Sequence, residues 1–447
     1  MSTNDYADFA ALAALYPAHV EEMASRWDRA LAKAGAGHAV VFSGVAEPVF
    51  LDDSHYPFRA NPHFVAWAPL TDAPSSYIVY TPGRWPVLVH YQPEDYWYRP
   101  PRAPSGYWVE QFDIRSVRDP AEVARHLPDA REHCILVGKI DDPAQAFGIE
   151  RINPTPVMNL LHYARAIKTP YELECMRGAN RRAVRGHAAA EAAFRAGASE
   201  YEIHLAYCRA VSHTERELPY DNIVALNENA AVLHYQHQER VAPYEQRSLL
   251  LDAGAAVNGY AADVTRTWSY DSAEFADLVA RMDRLQQELV AEVRAGVEFI
   301  DLHLAAHAKI ADVLNETGLA HGSADALIAN GVTSAFFPHG LGHLLGIQVH
   351  DVGGFMADES GRTIDRPSGH PFLRLTRRLE ADMVLTIEPG LYVIDMLLAN
   401  LEGTPAAKMI DRERISRLRP FGGIRIEDNV RVLPDGCENF TRDAFAA

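Results

Sequence analysis

Four acidic residues stand at or near the ends of apolar runs in the second half of this chain. Asp252 closes LLLD, Asp263 follows in YAADVTRTW, Glu388 closes VLTIE, and Glu427 sits in GIRIEDN. Between them lies FFPHGLGHLLGIQVHDVGG, with His339, His343 and His350 in a glycine-rich setting. A carboxylate buried without a partner costs several kcal/mol, so something positive has to compensate. Four carboxylates and an imidazole are too many for one arginine. Oxygen-rich ligation suits a pair of hard or borderline divalent ions, manganese more naturally than a thiolate-selected metal. His339 and His343 have the i, i+4 separation of a zinc-protease helix, but Gly340 and Gly342 argue against a helix and no Glu follows His339. A mononuclear zinc protease is therefore rejected.

The elements that must position these acids are readable locally. Asn258-Gly259 is a two-residue hairpin signal between Asp252 and Asp263. That loop sets Val257 against Tyr260 and Asp252 opposite Thr265, with Asp263 diagonally across on the same face. Such diagonal neighbours have Cβ atoms about 7 to 8 Å apart, which leaves room for two metal ions about 3.5 to 4 Å apart. In GGIRIEDNVRVL, Ile424, Ile426 and Asp428 alternate with Arg425, Glu427 and Asn429, so Arg425 and Glu427 point the same way. Pro389-Gly390 ends the strand that carries Glu388.

Upstream, residues 12–34 read as a helix, and HAVVFSG, SYIVY, PVLVHY and CILVGK as short buried strands with the helix-like DPAEVARHL among them. Thr169-Pro170-Tyr171-Glu172 is a capping box with proline at the first helical position, so a long helix starts there. Leu173, Met176, Ala183, Val184 and His187 supply its inner face. Helical stretches at 273–294 and 301–317 separate two later groups of strands. The pattern predicts an α/β N-terminal domain over residues 1–160 and an α+β domain with a mostly antiparallel sheet over 161–447.

Composition narrows the partners. A chain of 447 residues is long for one core and long enough to bury a catalytic site. The net charge of −18 repels phosphate backbones and anionic lipid surfaces, so nucleic acid and membrane are not expected partners. Cys134, Cys175, Cys208 and Cys437 are far apart and form none of the close pairs of a disulfide scaffold or thiolate zinc site. Asp5 and Asp8 precede the first apolar stretch and no basic residue comes before Arg26, the wrong order for a secretory signal. No apolar run approaches the ~20 residues of a bilayer crossing. The expected address is the cytoplasm.

DAGA with its following acid, PHGLGH, TIEPG and GIRIEDN, in this order, resemble the dinuclear metallopeptidases of the pita-bread fold (creatinase/aminopeptidase-like). FLDDSHYPF, PYDNIVALNENAAVLHY, HDVGGFMADE and GHPFLRLTRR extend the likeness, over nearly the whole chain, to the bacterial Xaa-Pro dipeptidases or prolidases, a group also described as organophosphorus acid anhydrolases. The resemblance implies two divalent metal ions, manganese first with cobalt or zinc as alternatives, and five ligands: Asp252, Asp263, His343, Glu388 and Glu427. Asp263 and Glu427 would bridge the ions, and a metal-bridging water would be the nucleophile. Glu388 would also shuttle its proton towards the leaving prolyl nitrogen, while His339 and His350 contact the scissile carbonyl and the oxyanion. Arg374 would hold the proline carboxylate, Tyr220, His234 and His350 would line the pocket, and Asp53 would reach in from the other subunit of a homodimer to limit the substrate to a dipeptide. Arg425 would support the metal carboxylates. Tyr392 reads as packing. The same fold houses aminopeptidase P, methionine aminopeptidase, metal-free creatinase-type hydrolases and non-catalytic peptide- or histone-binding modules, which remain the alternatives; attack on organophosphorus esters is the expected side reaction.

Overall fold

The computed structural model describes residues 7–447. Asp5 lies outside them. Asp8 accepts hydrogen bonds from the backbone N–H groups of Ala10 and Ala11, which opens the helix Phe9–Ala34. Leu12, Tyr16, Val20, Met23, Trp27 and Leu31 recur at helical spacing on its buried face. They pack on a five-stranded mixed sheet built from His38–Phe42, Tyr77–Tyr80, Val87–Tyr91, Asp113–Val117 and Cys134–Val137. Period-two alternation splits the His38–Phe42 strand between two cores. Ala39 and Val41 face the long helix, whereas Val40 and Phe42 face Val123, Leu127 and Ile149 on the other side. The helix-like segment after Asp119 is opened by a capping box with Glu122 and winds as 3-10 turns over Pro120–His126, not as an α-helix. Proline at the first position and seven residues of length leave little to select the α form.

The sheet hands over to the second half through the helix Thr155–Arg165, within which the expected division at residue 160 falls. Thr169 and Glu172 then cap each other, with the Thr169 N–H donating to Glu172 at 2.7 Å, and the helix Pro170–Arg195 runs from there. Its predicted inner residues Leu173, Met176, Ala183, Val184 and His187 are all buried.

The second half is antiparallel throughout its described strands. One three-stranded sheet pairs Ile223–Leu226, Ser248–Asp252 and Thr265–Ser269 and is backed by Pro170–Arg195 and Glu200–Val211. A second pairs Val384–Ile387, Asp428–Leu433 and Gly436–Asn439 and is backed by Ala273–Ala291 and Phe299–Glu316. The Asn258-Gly259 turn has φ of 53° and 86°, both positive as a type I′ turn requires. Val257 pairs with Tyr260 and Asp252 with Thr265, the register that this turn dictates. The two sheets are stitched where the Glu427 N–H donates to the Thr265 carbonyl at 3.0 Å. That seam is where acids from both sheets can meet.

Candidate metal centre

Each acid reaches the seam for a local reason. Asp252 ends the Ser248–Asp252 strand with one carboxylate oxygen receiving the Tyr220 hydroxyl at 2.7 Å and the other the Arg425 guanidinium at 2.7 Å. Asp263 leaves the hairpin just before Thr265, and its backbone N–H donates to Asn429 at 3.0 Å. Glu427 follows the short strand Gly423–Arg425 and accepts from the Thr265 hydroxyl at 2.6 Å. Glu388 follows Val384–Ile387 and accepts from Thr386 at 3.4 Å. His343 lies in irregular backbone after Gly342, where an added Cβ would stand 2.0 Å from the Thr386 carbonyl oxygen. Glycine is what allows this loop to lie against the Glu388 strand. Residues 339–343 are not helical, which agrees with rejecting a zinc-protease helix.

The distances define a buried acidic cage. His343 Nε2 is 3.4 Å from Asp263 and 3.6 Å from Glu388. Ligand atoms of Asp263, His343 and Glu427 all lie within 4.8 Å of one another. Burial and then the neighbouring Asp263 and Glu388 push Glu427 well above the ordinary carboxylate range. Burial, with Asp263 and Asp252 adding to it, pushes Glu388 up to about 7 against the pull of His343 and Arg425. Burial raises Asp252 despite Arg425. Asp263 goes the other way: burial is the largest single influence and raises it, but the hydrogen bond and charge of His343, joined by Tyr220 and His350, together pull it below the ordinary value.

Carboxylates this crowded are proton-hungry as they stand, and divalent cations are the charge that would match them. The oxygen-rich set with one imidazole fits two such ions. A stability prediction follows for the chelated protein. Glu388 has a folded pKa of about 7 against 4.5 for the free side chain, so the folded state binds the extra proton between those values and stability falls as pH rises through them. Thermal unfolding of chelated protein should lose on the order of 1 to 3 kcal/mol between pH 5 and pH 7.5, and Glu388→Gln should flatten that slope. An unchanged slope would mean that Glu388 is not held protonated.

The remaining predicted residues surround one cleft of about 2560 Å³, whose lining includes Asp252, Asp263, His343, Glu388 and Glu427. Arg374 and His234 line it and are exposed. His350 packs edge-on against His343, with ring centres 4.4 Å apart. Asp53 is exposed at the lip of the cleft of its own chain, where its carbonyl receives the Tyr98 hydroxyl at 3.1 Å. Tyr220, expected in the pocket wall, also holds Asp252.

His339 is fully engaged. Its Nδ1–H donates to the Gly340 carbonyl at 2.8 Å, which leaves Nε2 to accept from the Tyr392 hydroxyl at 2.9 Å. Burial and then Arg425 push its pKa down to about 3, so it stays neutral. Tyr392 corrects the expectation of simple packing. It is fully buried, yet its hydroxyl also receives Arg425 at 2.9 Å, so it links the arginine of Asp252 to His339. Thr265 and Asn429, which alternation places on the faces of Asp263 and Glu427, hold Glu427 and the Asp263 N–H, and Thr386, two residues before Glu388, does the same for Glu388.

A pattern described as "Xaa-Pro dipeptidase, N-terminal domain" matches residues 14–163, and "Metallopeptidase family M24" matches residues 174–434. Curated Xaa-Pro dipeptidases are near full-length relatives. That of Xanthomonas campestris is 50% identical over 98% of this chain and 99% of its own. The Stenotrophomonas maltophilia protein is 50% identical over 97% and 98%, and that of Pseudoalteromonas atlantica is 48% identical over 97% and 98%. The chain belongs to the Xaa-Pro dipeptidase family. Solved structures of Escherichia coli aminopeptidase P share the family fold, among them a zinc-substituted form in complex with product. It has a TM-score of 0.72 and 23% identity, with 95% of each chain covered. A form with the inhibitor Pro-Leu has a TM-score of 0.73 and 22% identity over the same coverage. The dipeptidase family thus combines the α/β N-terminal domain with a pita-bread catalytic domain. Among the described residues, no helix is long and apolar enough to cross a membrane.

Proposed function

We propose that this chain hydrolyses the bond before the trans-prolyl residue of Xaa-Pro dipeptides. The observation that carries the reading is the convergence of two buried carboxylates, Asp263 and Glu427, two partly buried ones, Asp252 and Glu388, and His343 on the floor of a cleft whose walls carry Arg374, His234 and His350. Asp252, Asp263, His343, Glu388 and Glu427 would hold two divalent ions, manganese suiting the oxygen-rich set best, with cobalt or zinc as substitutes. Bound there, the ions would supply Lewis acidity and bring the pKa of a coordinated water towards neutrality.

The chain's own residues then have separable tasks. Arg374 presents an exposed guanidinium to the proline carboxylate, a match for its planar donors. Glu388 accepts the proton of the attacking water and returns it to the prolyl nitrogen. His350 makes no hydrogen bond among the described residues' side chains, which leaves its ring able to donate to the developing oxyanion. His339 would have to release Gly340 or Tyr392 to do the same, so its part is to position Tyr392 and, through it, Arg425. Tyr220 and His234 narrow the pocket, and Asp53 at the lip bounds the length of peptide admitted.

Exposed Phe50, Leu51, Tyr96, Trp97 and Tyr98 near that lip support a homodimer, and four free thiols support a cytoplasmic address. An organophosphorus ester shares the tetrahedral geometry of amide hydrolysis, which supports a slower side reaction. The test is hydrolysis of Ala-Pro against a longer Ala-Pro-initiated peptide, with and without chelation. Ala-Pro should be strongly preferred, and chelation should abolish its cleavage. Faster cleavage of the longer peptide would replace this reading with an aminopeptidase P-type activity.

A further inference from the structure

Away from the acidic cage, three imidazoles meet with no role in the reaction above. His303 and His307 lie one turn apart on the helix Phe299–Glu316, both 1% exposed, and His370 comes from the loop before Arg374. Their ring centres are 4.9 Å apart for His303 and His307, 4.7 Å for His303 and His370, and 4.6 Å for His307 and His370. One ring nitrogen from each lies within 4.8 Å of the other two.

The hydrogen bonding leaves this cluster unfinished. His303 Nε2 and His370 Nδ1 are 2.9 Å apart, a single hydrogen bond. His307 Nδ1 is fixed by the Thr333 hydroxyl at 3.0 Å, while its buried Nε2 has no hydrogen-bond partner. A buried ring nitrogen without a partner has given up its water and gained no bond in exchange. The pattern of one nitrogen held by a hydroxyl and the other open is that of a metal-ligating histidine oriented by its neighbour.

We propose that His303, His307 and His370 form a nitrogen-only site for one divalent transition-metal ion, zinc by preference, separate from the acidic cage. Imidazole donors select zinc, nickel or copper over the manganese and magnesium that carboxylates favour, so the two sites differ in kind. Zinc bonds of about 2.0 to 2.1 Å in a tetrahedron set ligand nitrogens roughly 3.4 Å apart. The 2.9 Å pair therefore opens by a few tenths of an ångström. Burial, reinforced by neighbouring imidazoles, pushes His303 down to about 2 and His307 to about 4, so both are neutral near pH 7 as ligation requires. His370 is partly exposed and gives the ion a way in, with a water as fourth ligand.

The site is placed to matter. His370 stands four residues before Arg374, and the Phe337 ring lies against His307 on one side and His339 on the other, at 5.1 and 4.8 Å. An ion here ties the Arg374 loop to the Phe299–Glu316 helix. The site is a positioning one, since none of its ligands lines the cleft.

The experiment is metal analysis of full-length protein dialysed against trace zinc, comparing wild type with His307→Ala and His370→Ala. Wild type should retain one more equivalent of zinc than either variant, and each variant should bind it at least about 100-fold more weakly. A Glu427→Gln protein, with its cage disabled, should still hold that equivalent, which keeps this proposal independent of the cage. Zinc-edge anomalous diffraction from unaltered protein gives a second readout that needs no variant to fold. Equal zinc content in wild type and both variants, or an anomalous map with no peak among the three imidazoles, would overturn the site.

Discussion

Glu427→Gln is expected to abolish metal-dependent hydrolysis while leaving the chelated protein as stable as wild type or more so. The two halves have one cause. Burial and the neighbouring Asp263 and Glu388 push Glu427 towards its protonated form in the absence of cations, and glutamine has nearly the shape of a protonated glutamate. Thr265 can still donate to the amide oxygen where it now meets Glu427 Oε2 at 2.6 Å. The chelated protein therefore loses little, and the variant is spared the cost of ionising that position as pH rises.

With cations supplied, the balance reverses, because the variant offers one anionic ligand fewer to a pair of ions. Removing a group that merely orients a ligand costs about 10- to 100-fold in metal affinity or activity, so removing the ligand itself should exceed about 100-fold. Titration of both proteins with manganese, followed by Ala-Pro turnover and by thermal unfolding, checks both halves. Wild type should gain stability steeply with metal and the variant little. A variant that binds and turns over as wild type does would remove Glu427 from the cage.

The parts of the site that were legible in the sequence are those fixed by short-range geometry. Asn258-Gly259 allows one hairpin register, and that register alone sets Asp252 against Thr265. Alternation in GIRIEDN puts Arg425 and Glu427 on one face without knowledge of any partner strand. The Thr169 capping box starts its helix where the sequence says, because its bonds join residues three apart.

What stayed hidden depends on contacts far apart in sequence. Tyr392 meets Arg425 because Gly390–Tyr392 pairs with Gly423–Arg425, a choice of partner that no local pattern specifies. His370 meets His303 across 67 positions. His303 and His307 fall on the buried stripe of an amphipathic helix, where an apolar pattern conceals them. The stretch after Asp119 shows the opposite limit: its helix-like pattern is readable, but seven residues do not settle between α and 3-10 winding.

Asp351→Asn should cost the folded protein about 3 to 5 kcal/mol, the range for removing one partner from a buried ionic cluster. Asp351 follows His350, and its side chain is 1% exposed. It accepts from Arg165 Nε at 3.0 Å, from Lys168 Nζ at 3.1 Å and from the Val352 N–H at 2.9 Å. Both cations are themselves buried, so asparagine would leave two positive charges with no anion between them. The loss should be larger than for a surface pair, which is worth about 0 to 1 kcal/mol.

Burial opposes the Asp351 charge, but Arg165 and Lys168 hold its pKa down to about 2, against 3.8 for the free side chain. The unfolded chain therefore takes up the proton first as pH falls. The stabilisation is fully present above pH 3.8 and is lost as pH falls towards 2. The carboxylate also steadies the loop that carries His350, since it accepts the Val352 N–H at 2.9 Å and ties the loop to Arg165 and Lys168, while the backbone Asp351 N–H donates to the Leu344 carbonyl at 2.8 Å. Turnover should fall with stability even at temperatures where the variant remains folded. Urea unfolding of wild type, Asp351→Asn and Asp351→Asn with Lys168→Met separates the charge effect from a packing effect. The second substitution should restore part of the loss, because it removes one of the stranded cations. A single-variant loss under about 1 kcal/mol, or no recovery in the double variant, would show that water or a local shift neutralises Arg165 and Lys168 without help from Asp351.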